Sequence, residues 1–339
     1  MKKRLIPMIF SGVGILLLIL DSRSAMNGAQ IGIELCIYTV IPSLFPFMVL
    51  TGVLAPAMCS SNSRILRPLS RLTGIPKGCE SLFVTGILGG YPTGALSVHQ
   101  AWCNGQLSGN DAKRMLAFCS NAGPAFLFGM LGSKFPQQWM LWLLWGIHII
   151  SALLVGMLLP KNRNIQGNEV SAYVPGFTQS LKNAVAAMAY VCGWIILFRV
   201  ILAFCDRWFL WLLPKAAQTA CYGLLELTNG CAALDQVQSV GARFILCSAL
   251  LAFGGICVVL QTVSVTRKLG LGAYLPGKVL QTLLSILLSG CVQWICFPAA
   301  EKADFPPWHV IILCLSIVTV VFIAGKRKIR GSIPQLLGV

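Results

Sequence analysis

The sequence predicts an all-α polytopic membrane protein with about eight transmembrane helices and two re-entrant hairpins in inverted repeats. Three observations carry this. First, 56% of the 339 residues are apolar and only 11% charged, with a mean hydropathy of +0.78, against about 25% charged in a typical soluble domain. There is too little polar surface to cover a water-soluble globule, and too much Leu, Val and Ile for disorder. Second, the apolar residues form continuous blocks of the length that crosses a bilayer core, not the alternation of a transmembrane barrel. Third, basic residues segregate to alternate loops.

Taken in order, full spans are expected at residues 5–20, 31–57, 115–132, 139–159, 184–205, 244–265, 279–298 and 308–324. The first follows Met1-Lys2-Lys3-Arg4 and is kept as a span, because no clear small-x-small cleavage site follows it, although a signal peptide also fits. Two apolar stretches differ from the rest. Residues 81–103 hold Gly86, Gly89, Gly90, Pro92 and Gly94 at their centre, and residues 216–237 hold Glu226, Thr228, Asn229 and Gly230. Central breakers make a poor continuous helix but suit two half-helices meeting at a polar tip.

Placing the N-terminus in the cytoplasm tests this assignment. The cytoplasmic side then holds Lys2–Arg4, Arg64, Arg67, Arg71, Lys77, Lys113, Arg114, Lys161, Arg163, Lys182, Arg267, Lys268, Lys278 and four basic residues over 326–330. The other side holds Arg23, Lys134, Arg207, Lys215, Arg243 and Lys302. The bias supports both termini inside, and reading the hairpins as full spans destroys it. The net charge of +16 therefore reflects topology, and no nucleic-acid partner is expected.

The domain reading follows. Residues 1–339 form one integral membrane domain: an N-terminal span and loop over 5–30, a first repeat over 31–159, a second over 184–298, and a last span with a basic cytoplasmic tail over 308–339. In each repeat a hairpin precedes a span with its own central break, Ser120-Asn121-Ala122-Gly123-Pro124 in the first and Phe253-Gly254-Gly255 in the second. That order, repeated in opposite orientation, is the signature of a secondary transporter.

The candidate site residues lie at these breaks. Gly90, Tyr91, Pro92 and Thr93 form the first tip, where glycine permits positive φ and proline ends a helix. Pro124 frees the carbonyl of Ser120, and Asn121 beside it can donate or accept. Ser120 and Asn121 are candidates for ion coupling, and Asn121 for substrate. A packing kink without a ligand also accounts for either break. Glu226 is the sharpest single residue: a carboxylate at membrane depth costs about 2.5–3.5 kcal/mol or more unless paired or hydrated. It is expected to bind substrate or couple protons, with Thr228 and Asn229 beside it; a shallow hairpin facing interfacial water is the competing account. Phe253, Gly254 and Gly255, with Gln261 and Ser264 further along, form the matching face of the second half, unless the glycines serve only close helix packing.

Other features read as structure. His99 and His148 stand alone, without ligands at metal spacing. Arg199 is expected to snorkel from the end of its span. The fourteen cysteines sit mostly in apolar runs, with no CxxC and no His/Cys cluster. No GxSxG, HExxH or phosphate-binding loop occurs, so the expectation is no enzyme, no metal and no cofactor.

Five motifs in order carry a resemblance. Ile41-Pro42-Ser43-Leu44-Phe45-Pro46-Phe47, Gly89-Gly90-Tyr91-Pro92-Thr93-Gly94-Ala95, Phe118-Cys119-Ser120-Asn121-Ala122-Gly123-Pro124, Leu225-Glu226-Leu227-Thr228-Asn229-Gly230-Cys231 and Ala252-Phe253-Gly254-Gly255 resemble the sporulation integral membrane protein family of the YlbJ (SpoVV) type. These proteins carry the nucleoside-transporter-like Gate domain, and the similarity runs over about residues 30–300. It implies a concentrative-nucleoside-transporter-like fold and a role in moving dipicolinic acid, a pyridine dicarboxylate, across the outer forespore membrane. It also implies substrate and a coupling ion, H+ or Na+, between two hairpin tips and two broken helices. The first tip lacks the Gln-Thr-Glu run of nucleoside transporters, which weighs against a nucleoside substrate. The expected partners are thus a small organic anion and the lipid bilayer; a homo-oligomer is compatible but not specified.

Overall fold

A computed structural model describes residues 2–60, 66–160, 176–266 and 269–303, together with residue 312. Apart from that one residue, the expected last span and the basic tail lie outside the described residues. Every regular element among the described residues is helical.

The chain opens with α1 (Lys2–Leu20) and α2 (Ser22–Leu35), passes through a π-helical turn at Cys36–Val40, and continues as α3 (Ile41–Ser60). Residues 22–30, expected as loop, are helix: Asp21 caps α2 by accepting from the Ser24 amide, which lets the helix start well before the apolar run. At the proline-rich entry to α3, the hydroxyl of Ser43 donates to the Thr39 carbonyl, 2.7 Å away. Then come the short α4 (Arg67–Thr73), α5 (Ser81–Gly89), α6 (Thr93–Cys103), α7 (Gly109–Cys119), α8 (Pro124–Leu131) and α9 (Gln138–Leu158). The second half comprises α10 (Phe177–Trp208), α11 (Lys215–Leu225), α12 (Leu227–Ala232), α13 (Val240–Phe253), α14 (Gly255–Thr266) and α15 (Tyr274–Cys296).

Five of these stretches are long and apolar enough to cross a membrane: Ser22–Leu54, Gln138–Leu158, Phe177–Trp208, Val240–Thr266 and Tyr274–Cys296. Their outward faces stay apolar. Leu50, Trp142, Leu158, Leu197 and Ile295 are exposed, as lipid-facing positions are and as the surface of a soluble bundle is not.

α5 and α6 pack against one another, as do α11 and α12. Each pair is drawn together by two glycines. A Cβ on Gly94 would lie 2.8 Å from the Cα of Gly86, and one on Gly230 would lie 2.5 Å from the backbone nitrogen of Gly223. Both distances are closer than real Cβ contacts, so only glycine allows these backbones to touch. The same glycines seat each pair on the broken helix of its own half: Gly86 and Gly94 face the Cys119 carbonyl, and Gly223 and Gly230 face Leu250. Both partners stand just before their helix breaks, so the two halves repeat one packing solution with different side chains.

Two larger apolar cores flank this centre. One gathers α5, α6, α7, α9 and the start of α15 around Phe118 and Tyr274. The other gathers α8, α9, α12 and α13 around Leu127, Phe244 and Leu251. The long α10 lies against α2 and α3.

Polar ties join the loops. Arg114 is buried and donates to the carbonyls of Thr73, Gly74 and Gly156, linking the ends of α4 and α9 to α7. Lys134 pairs with Asp235, and Arg243 donates to the carbonyls of Lys134 and Val237. Loops that charge counting assigns to one side thus meet one another in each case.

Adding a methyl group at a glycine tests the hairpin packing. In detergent, Gly94→Ala is expected to lower the melting midpoint sharply, since overpacking costs about 1–3 kcal/mol or more. Gly146→Ala, with open space around its Cβ position, is expected to leave the midpoint near wild type.

Candidate functional site

The break between α7 and α8 runs extended through Ser120 and Gly123. Pro124 at the start of α8 cannot donate back to Ser120, so that carbonyl needs another partner. Lys278, on α15, supplies it: its Nζ donates to the Ser120 oxygen at 2.8 Å and to Gln281 Oε1 at 2.6 Å. Gln281 Nε2 donates to Asn121 Oδ1 at 3.0 Å, and Asn121 Nδ2 donates to the Phe118 carbonyl at 2.7 Å. His148 Nε2 accepts from the Ala122 amide at 3.0 Å. Lys278, Gln281, Ser120 and Asn121 are each 0% exposed. The Ser120 carbonyl, the Asn121 side chain and the Ala122 amide are therefore satisfied away from water, by side chains from α9 and α15 and by the Phe118 carbonyl.

Charge counting places Lys278 in a cytoplasmic loop, and the structure corrects this. Its four-carbon stem runs inward from the first turn of α15, carrying the amino group to the break. A basic residue near a predicted span end reads as a loop charge in sequence; only the helix's start at Tyr274 and the open carbonyl make it an internal group.

The second tip is built differently. Glu226 interrupts α11 and α12 in an extended conformation. Its Oε1 accepts from the Thr228 amide at 3.0 Å, and its Oε2 accepts from the Asn229 amide at 2.7 Å and from Asn229 Nδ2 at 2.8 Å. The carboxylate caps α12 at the helix end that favours negative charge. Gly255, at φ +82°, lets the second break approach this tip: a Cβ there would lie 2.8 Å from the Gly223 carbonyl oxygen.

Tyr91 links the halves. Its hydroxyl donates to the Leu251 carbonyl at 3.2 Å, on the last turn before the second break. Its ring stands against Gly254, where a Cβ would come within 3.2 Å of Cζ. The same ring lies 5.1 Å from Lys278 Nζ, within range of a cation–π interaction. Gly90, at φ +73°, closes on Gly123, so that the first tip meets the first break.

A cavity of about 40 Å³ lies between these parts, lined by Gly90 and Tyr91 of the first tip, Ala122 and Gly123 of the first break, Glu226, Leu227 and Thr228 of the second tip, and Leu44, Phe126, Val191, Ile195, Val258 and Gln261. That volume accommodates a water molecule or two.

Of the expected site residues, Gly90, Tyr91, Glu226 and Thr228 reach this cavity. Asn229 stands behind Glu226; Gly254 and Gly255 support Tyr91 and the second tip. Ser120 and Asn121 belong to the Lys278 cluster. Pro92 and Thr93 begin α6, with Thr93 against Gly89, and Phe253 is half-buried. Ser264 accepts or donates a bond with Tyr190 at the edge of α14. Arg199 is paired with Asp206, which also accepts from the Tyr222 hydroxyl. His148 is buried and serves the first break.

A 143-residue stretch is 26% identical to the sporulation integral membrane protein YlbJ of Bacillus subtilis (strain 168). It covers 40% of this chain and 34% of that protein, so the match spans about a third of the relative's length. No protein-family profile and no solved structure matches the chain. The relative is an integral membrane protein by name, in keeping with the long apolar helices described above.

Removing the cap at the second tip should be measurable. Glu226→Ala is expected to destabilise the protein by about 1–2 kcal/mol, the usual size of a lost N-cap. Glu226→Gln, which keeps one acceptor, is expected to cost less. Thermal melting of the two purified variants in parallel checks the order.

Proposed function

We propose that this chain is a sporulation-associated secondary transporter that moves a small organic anion, dipicolinic acid, across the outer forespore (mother-cell) membrane. In this reading it has eight spans with both termini cytoplasmic, and α5–α6 and α11–α12 are re-entrant hairpins entering from opposite faces. The protein acts without enzymatic chemistry or a resident cofactor.

The observation that carries the reading is the repeated arrangement at the centre. Each hairpin tip closes on the break of its own half, and both tips and the first break line one cavity. Four half-helices, α6, α8, α12 and α14, begin at this centre. Their N-terminal ends carry partial positive charge, which favours an anion. Of these, α12 is already capped by Glu226, while α6 and α8 have no side-chain cap. Similarity to a sporulation membrane protein supplies the physiological setting. In chemistry, though not in the size of the closed cavity, dipicolinate, a compact aromatic dianion, matches the combination of amide donors, Thr228 and the Tyr91 ring. Alternating access would rock one hairpin-containing unit against the rest.

Reconstitution tests the reading. Full-length protein in liposomes is expected to give saturable uptake of dipicolinate, with Glu226→Gln lowering the rate about tenfold, equivalent to about 1.4 kcal/mol. Uptake of nucleosides or nucleobases in place of dipicolinate would identify a nucleoside permease. In cells, a strain lacking the protein is expected to hold dipicolinate in the mother cell and leave its spores unfilled. If Glu226→Gln and Thr93→Val spores fill normally at normal protein level, the role is in assembly of the spore envelope and not in transport.

A further inference from the structure

We infer that the amino group of Lys278 occupies the place at the first helix break where a mobile coupling cation would otherwise bind, so that no sodium ion enters there. The inference rests on the transporter reading for its meaning in coupling, while its structural content stands on the geometry of the break.

An interrupted helix offers a cation two things: carbonyl oxygens without helical donors, and the negative end of the half-helix dipole. Both are present at the end of α7, and Lys278 Nζ uses both. It lies 2.8 Å from the Ser120 oxygen freed by Pro124 and 2.6 Å from Gln281 Oε1. The Tyr91 ring presents its electron-rich face at 5.1 Å. Asn121 holds Gln281 in place by accepting from its Nε2, so that Gln281 Oε1 is presented to the Lys278 nitrogen. Among the described residues, Lys278 belongs to no ion pair, so its partners are neutral oxygens and a ring. Two neutral oxygens and an aromatic face thus converge on one point, and the tethered amino group fills it. At the second break the Leu251 carbonyl takes the Tyr91 hydroxyl instead, and the buried ionisable group at the neighbouring tip is the Glu226 carboxyl.

Thermal melting of the full-length protein in detergent tests the occupancy without reference to transport. Wild type is expected to melt at the same temperature in sodium chloride and in N-methyl-D-glucamine chloride of equal strength. Lys278→Ala is expected to melt several degrees lower in the bulky cation and to recover much of that loss in sodium chloride or methylammonium chloride. A sodium-specific rise in the wild-type midpoint overturns the inference, and so does an alanine variant that no small cation restores. Should Lys278→Ala fail to fold, Lys278→Met is read in the same way and the wild-type comparison still decides. In liposomes, dipicolinate uptake by wild type is expected to be unchanged when sodium is replaced on both sides. Sodium-driven uptake sinks the inference and leaves the transporter reading intact. Absence of any uptake beside a sodium-indifferent melt removes the transporter reading and leaves Lys278 as the occupant of the break.

Discussion

A helix interrupted away from water leaves peptide groups that only the protein itself can satisfy, and the centre of this molecule is organised by that constraint. The Ser120 carbonyl is met by Lys278, the Ala122 amide by His148, the Thr228 and Asn229 amides by Glu226, and the Leu251 carbonyl by Tyr91. Three of these four side chains come from elements remote in sequence. The breaks therefore act as anchors as well as interruptions: α9, α15 and the first hairpin are each tied to a broken helix by a polar group with no alternative partner. An orphaned group of this kind costs about 1–3 kcal/mol, which makes the central arrangement specific as well as stable.

The two halves share a backbone solution and differ in charge. Gly86 and Gly94 do for the first hairpin what Gly223 and Gly230 do for the second, and both pairs rest on residues just ahead of a break. At each centre an ionisable side chain stands at a helix end of complementary sign. Lys278 meets the negative end of α7, and Glu226 meets the positive end of α12. The first solution imports its charge from α15, whereas the second finds it within the hairpin.

Much of this could be read from residue types in order. The breakers Gly90 and Pro92, the Ser120–Pro124 run and Gly254-Gly255 mark the interruptions because glycine and proline act locally. Glu226 stands out because a carboxylate in an apolar stretch demands a partner. The freed carbonyl at Ser120 was predictable from Pro124 alone. Its partner was not. Lys278 lies near the start of an apolar run, where loop charge and buried charge look alike in a linear string. His148 and Gln281 likewise carry no local signal, since their roles arise from packing of α9 and α15 on α7. The helical start of α2 escaped for the opposite reason: its polar first turns carry no membrane-length hydropathy, and the Asp21 cap is a weak mark.

On the carrier reading, the geometry also says where the molecule would open. A cavity of about 40 Å³ has no room for an aromatic dicarboxylate, so the tips must separate for substrate to enter. Within each half, the hairpin glycines bring backbone against backbone, and parting them would expose peptide groups and vacate close-packed contacts. Between the halves, the first tip is joined to the second break by the Tyr91 hydroxyl and by its ring on Gly254. One neutral hydrogen bond contributes only about 0.5–1.5 kcal/mol net, and a ring resting on glycine leaves no interlocked side chain to unthread. The Tyr91 seam is thus one contact that has to part, alongside the Lys278–Ser120 and Gln281–Asn121 bonds that tie the first break to α15 of the second half.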